Sequence, residues 1–95
     1  MEITVRFTGM MRSLAGLASV HMSLEAGATL RTALLAIIDL VARPFAEQVV
    51  QPLVARETVP ALLLLNRVYM SDATDLDRRL SPGDVIAFVM PMAGG

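Results

Sequence analysis

A small α+β roll, a mixed sheet with one main helix packed on one face, is the fold class this sequence predicts. Three observations carry that reading. The chain opens with two period-2 segments, continues into one helical apolar face, and returns to short apolar strands in its last third. At 95 residues it fits one domain, because domains commonly run about 100–150 residues. Apolar residues make up 55 % of the chain, so a core can form without staples.

Each element follows from local chemistry. Ile3, Val5 and Phe7 alternate with Glu2, Thr4 and Arg6, the signature of a half-buried strand. Residues 9–16 read as a break holding a short apolar turn (Met10, Met11, Leu14). Val20, Met22 and Leu24 then alternate with polar neighbours and predict a second strand. The short connection favours an antiparallel hairpin, since parallel pairing needs a longer crossover. Glu25 to Ala28 is a turn, and Thr29 is placed to cap a helix. Leu30, Ala33, Leu34, Ile37, Ile38 and Val41 form its apolar face. Pro44 predicts an end near Ala42 or Arg43, because the residue before proline avoids helical geometry.

Beyond Phe45 the pattern weakens. Residues 46–54 read as a shorter second helix limited by Pro52. Residues 61–65 are an apolar strand, Asn66-Arg67 a tight turn, and residues 68–70 a short strand. A polar connection over 72–80 holds one helical turn at 76–79. Ser81-Pro82-Gly83-Asp84 is a turn, and residues 85–90 are the last strand. Pro91 ends it, so residues 1–90 are expected to form the domain and 91–95 a mobile tail ending in Gly94-Gly95.

Most kinds of active site are excluded by what the chain lacks. It has no Cys, which removes disulfides, thiolates and thiolate-ligated metals. All eight basic residues are Arg, spread along the chain, and net charge is −1. Nucleic acid is therefore not an expected partner, because affinity for phosphates needs clustered cations. No apolar run approaches a membrane span, and the first residues do not resemble a secretory signal. The cytoplasm is the expected location. His21 lies on the polar side of a strand with no orienting partner, and the surface reading outweighs a catalytic one. Asp72, Asp75 and Asp77 lack the spacing of a calcium loop and read as a solvated connection. Gly9 and Gly16 lack the spacing and the Lys-Ser/Thr of a phosphate-binding loop. The chain is not expected to be an enzyme, and it is expected to bind no metal or cofactor.

Two features are left. Residues 85–90 are apolar on both faces, whereas one helix covers only one face of a sheet. With Ile86, Phe88 and Met90 toward the helix, Val85, Ala87 and Val89 are left open, and Tyr69 is placed to join them. Such a patch marks a partner surface unless residues 45–59 fold over it. The second feature is Gly94-Gly95 itself. Without side chains, the pair can thread a narrow slot in a partner's active site.

These residues together resemble the MoaD/ThiS family of ubiquitin-like sulfur carriers, whose fold is the β-grasp. The resemblance rests on Ile3-x-Val5-x-Phe7, Met11-Arg12-Ser13-Leu14-Ala15-Gly16 and Thr29-Leu30. It continues through Leu64-Leu65-Asn66-Arg67, Leu80-Ser81-Pro82-Gly83-Asp84-Val85 and Met90-Pro91-Met92-Ala93-Gly94-Gly95. It implies that an ubiquitin-activating-like adenylyltransferase, of the MoeB/ThiF type, uses ATP and Mg²⁺ to adenylate the Gly95 carboxylate. A sulfur donor then converts that end to a thiocarboxylate. Gly94 and Gly95 match the family's functional residues. Val89, Tyr69, Pro91, Met92 and Arg12 fall at implied partner contacts. The branch most resembled is the molybdopterin synthase small subunit, a non-catalytic subunit. That branch implies a heterotetramer with a large catalytic subunit (MoaE type) and sulfur delivery to the molybdenum cofactor. Sulfur carriage for cysteine, thiazole, tRNA or tungsten-cofactor synthesis, and attachment to proteins through Gly95, are the alternatives. Lacking Lys and Cys, the chain offers an activated carboxyl end no side-chain amine or thiol of its own.

Overall fold

The computed structural model describes residues 1–55, 62–70 and 73–90. Five strands form one mixed sheet in the order β2-β1-β5-β3-β4. Strand β1 (Glu2–Phe7) pairs antiparallel with β2 (Ser19–Ser23) and parallel with β5 (Val85–Val89). Strand β3 (Leu62–Leu65) pairs antiparallel with both β5 and β4 (Val68–Tyr69). The alternation read in β1 holds, with Ile3, Val5 and Phe7 all buried. Helix α2 (Leu30–Ile37) buries Leu30, Ala33, Leu34 and Ile37 against the same face of the sheet. Thr29 caps it, its hydroxyl accepting from the Thr32 backbone N–H at 3.3 Å.

Several sequence expectations need correction. Residues 9–15 are not a break but helix α1 (Gly9–Ala15), which buries Met11 and Ala15 and ends at Gly16 with φ 82°. The β1–β2 hairpin is therefore antiparallel as expected, but a helix rather than a short turn bridges it. Helix α2 stops at Ile37, ahead of the end expected from Pro44. The chain tightens there, with Leu40 and Val41 both donating to the Ile37 carbonyl, and Ala42 donates to Ala15 at the end of α1 at 2.9 Å. Docking onto α1 ends the helix before Pro44 is reached. Pro44 instead lies in the first turn of α3 (Arg43–Phe45), where a missing N–H costs nothing.

The weak segment is a continuous helical run. Helix α3 passes through a π-helical turn (Ala46–Val50) into α4 (Gln51–Val54). Pro52 lies inside this run instead of limiting it. In a regular α-helix its ring crowds the carbonyl four residues back. Here the preceding turn is widened, Gln51 donating to the Ala46 carbonyl. This run sends Phe45, Val49 and Val50 into the core, all 0 % exposed. Phe45 meets Phe7 and Phe88 edge-on, each at 5.0 Å between ring centroids, while Phe7 and Phe88 stack at 5.7 Å. As far as it is described, this segment packs on the helical side and does not cover the open face of the sheet.

The last third differs only in its bounds. Strand β4 ends at Tyr69, and β5 ends at Val89. The helical turn expected at 76–79 is a 3₁₀ helix (Ala73–Asp77) that begins three residues and ends two residues earlier. Asn66 and Arg67 both have positive φ, 50° and 71°, as the primed turn of a two-residue hairpin demands. The Asn66 Nδ2 donates to Asp84 Oδ1 at 2.9 Å, and its Oδ1 accepts from the Val85 N–H at 2.9 Å. The β3–β4 turn is thus tied to the loop that launches β5.

Candidate docking face and the end of the last strand

The site is built on β5, the central strand. Its alternation puts Ile86 and Phe88 in the core at 0 % exposed, and half-buried Met90 packs against that core. Val85, Ala87 and Val89 are left on the other face, half-buried. Strand register extends that face sideways. Ala87 pairs with Leu64, Leu64 pairs with Tyr69, and Val89 pairs with Leu62. The result is an apolar stripe of Val89, Leu62, Ala87, Leu64 and Tyr69, the last 54 % exposed. An isolated exposed apolar side chain is unremarkable, whereas a contiguous stripe across three strands marks an interaction surface.

The stripe adjoins Met90, the last described residue. The Thr8 backbone N–H and its hydroxyl both donate to the Phe88 carbonyl, each at 3.3 Å. These bonds fasten the end of β5 to the end of β1, two residues before Met90. A partner that grips the stripe therefore holds the chain next to the point where residues 91–95 begin.

Val89 and Tyr69 fall on this face, as expected from the sequence. Arg12 does not join them. It is exposed on α1, whose opposite side (Met11, Ala15) enters the core between helices and sheet. Pro91, Met92, Gly94 and Gly95 lie outside the described residues. Leu62 and Leu64 were missed by sequence reasoning, because a run of four leucines carries no alternation to separate its faces. Pairing with β5 supplies that information. His21 is exposed on β2, its Nδ1 3.1 Å from the Thr4 hydroxyl. Among the described residues no group of three acidic or His side chains is arranged to hold a metal ion. No described helix is long and apolar enough to cross a membrane.

No family model and no curated protein matches the chain. Solved structures do. The putative molybdopterin converting factor subunit 1 of Pyrococcus furiosus superposes with a TM-score of 0.72 at 23 % identity, over 96 % of this chain and 98 % of that one. Small archaeal modifier protein 1 of Haloferax volcanii does so with a TM-score of 0.68 at 20 % identity, over the whole of both chains. A chain of the complex between subunits 1 and 2 of molybdopterin-converting factor from Helicobacter pylori gives 0.63 at 22 % identity, again over both whole chains. The fold is therefore the ubiquitin-like β-grasp. It is the fold of the putative molybdopterin converting factor subunit 1 and of small archaeal modifier protein 1.

Proposed function

We propose that this chain is a ubiquitin-like sulfur carrier, acting in the cytoplasm on its partners' active sites through the Gly95 carboxylate. One observation carries the reading: an apolar stripe on the central strand of a β-grasp domain ends a few residues before Gly94-Gly95 in the sequence. The chemistry follows from what a carboxylate lacks. It is anionic and has no good leaving group, so an adenylyltransferase must first join it to AMP, using ATP with Mg²⁺ and releasing pyrophosphate. A persulfide's terminal sulfur then displaces AMP, and a thiol cleaves the resulting acyl disulfide. The products are a disulfide and a thiocarboxylate on Gly95. The carrier holds the reacting end in place, and its partners supply the catalytic side chains.

The favoured acceptor pathway is molybdopterin synthesis, with this chain as the small subunit beside a large catalytic subunit. The similarity to one chain of the Helicobacter pylori complex supports that branch. Val89, Leu64 and Tyr69 would meet the partner, with Pro91 and Met92 leading the tail into its slot. Arg12, on the helical side, is assigned a contact with a second surface of a partner.

Similarity to a small archaeal modifier protein favours a second reading, in which Gly95 is joined to a lysine of a target protein. Deleting Gly94-Gly95 in a strain that depends on this gene tests both. Loss of molybdenum-cofactor synthesis, without loss of any protein adduct ending in Gly-Gly, is the result expected for the sulfur carrier. Normal cofactor synthesis after the deletion overturns the molybdopterin branch.

A further inference from the structure

The open face of the sheet carries a cation, Arg6, that has no counter-charge among the described residues. Register places Ser19, Arg6, Ala87, Leu64 and Tyr69 in a single row across all five strands. Neighbouring strands lie about 4.8 Å apart, so Arg6 stands beside the apolar stripe, one strand from its centre. Two polar pairs beside it are matched across β1 and β2. Glu2 accepts from the Ser23 hydroxyl, and Thr4 bonds His21. Arg6 is exposed and enters none of the ion pairs found among the described residues, which join Arg31 to Asp77, Arg43 to Glu47 and Arg78 to Asp75.

From this row we infer that Arg6 is a specificity determinant of the docking face, and that the partner is a protein presenting a carboxylate beside an apolar surface. The inference rests on the docking role assigned to the stripe above. The physical argument is one of desolvation. A partner that covers Leu64, Ala87 and Val89 also strips water from the neighbouring guanidinium, and a charge buried without a counter-charge is costly. A surface with an Asp or Glu opposite Arg6 recovers that cost through a charge-assisted, bidentate contact. An otherwise similar apolar surface without the acid is rejected. Arg6 thus discriminates among partners by penalising the wrong ones, while the stripe supplies the contact area.

Binding of the purified large subunit of molybdopterin-converting factor from the same organism, measured by titration calorimetry, tests this. The unsubstituted chain is compared with Arg6→Gln, Arg6→Glu and Leu64→Asp at low and high salt. Arg6→Gln is expected to weaken binding at least about tenfold and flatten its salt dependence, and Arg6→Glu to weaken it further. Leu64→Asp is expected to remove it. Arg6 is exposed, so the melting temperature of Arg6→Gln should match that of the unsubstituted chain. Arg6→Gln binding within about twofold of the unsubstituted chain, while Leu64→Asp fails to bind, overturns the role of Arg6 and leaves the docking face standing. Full binding by both variants overturns the docking face as well. No binding by the unsubstituted chain overturns the large-subunit reading and, with it, this inference.

Discussion

Asn66 shows how one side chain can serve two jobs in this fold. Its backbone occupies the left-handed region, where an L residue with a full side chain is disfavoured by about 1–2 kcal/mol and Asn is among the tolerated types. Its amide then bridges Asp84 and the Val85 N–H, while its own N–H donates to the Val85 carbonyl at 2.8 Å. Asn66→Ala should therefore lower unfolding free energy by about 1–3 kcal/mol, read from the urea midpoint. Asn66→Gly, which restores the backbone but not the amide, should fall between Ala and the native residue. The Asn66-Arg67 turn is legible in the sequence because turn chemistry is local. The tie to Asp84 is not, since it joins residues separated by 18 positions. The same limit hides Arg6. Its place on the polar side of β1 can be read from alternation, but its place beside Ala87 and Leu64 needs the strand order.

Among the elements, the run from α3 through the π turn to α4 was the least legible. Pro44 and Pro52 lie inside it near its two ends, and they narrow a helical reading based on propensity to residues 46–54. Its buried positions, Phe45, Ala46, Val49 and Val50, do recur at helical spacing, but the stripe is short and lies between the two prolines. Yet it supplies Phe45, the ring that meets both Phe7 and Phe88 edge-on. Aromatic pairs of this kind are worth about 0.5–1.5 kcal/mol beyond the area they bury. Phe45→Ala should cost about 3–5 kcal/mol by thermal or urea unfolding, and Phe45→Leu distinctly less. An equal and small loss for both would contradict the placement of this ring between β1 and β5. Helix α1 was missed for another reason. It has seven residues, starts at a glycine, and Thr8 gives it no side-chain cap. Tertiary contacts of Met11 and Ala15 hold it in place of local signals. The strands β1 and β5 and the capped start of α2 were legible because each is signalled by residues only a few positions apart.

For the whole molecule, the architecture separates the core that stabilises it from the surface to which function is proposed. The core lies between the helices and one face of the sheet, and the apolar stripe lies on the other face. Removing Gly94-Gly95 should therefore leave the melting temperature unchanged within error while abolishing the sulfur transfer proposed for the chain. A drop of several degrees would show that the tail contributes to the core and would undo that separation. The sequence already pointed to the tail through its ending and to the patch through the two-faced apolar strand at residues 85–90. Val89 and Tyr69 were placed by that reasoning, and strand pairing added Leu62 and Leu64. The most direct test is intact-mass and peptide mass spectrometry of the protein incubated with an activating enzyme, ATP, Mg²⁺ and a sulfur donor. Exchange of one oxygen for sulfur, mapped to the Gly95 carboxyl group, is the predicted result. An unmodified Gly95 after incubation with several cognate activating enzymes would contradict the account.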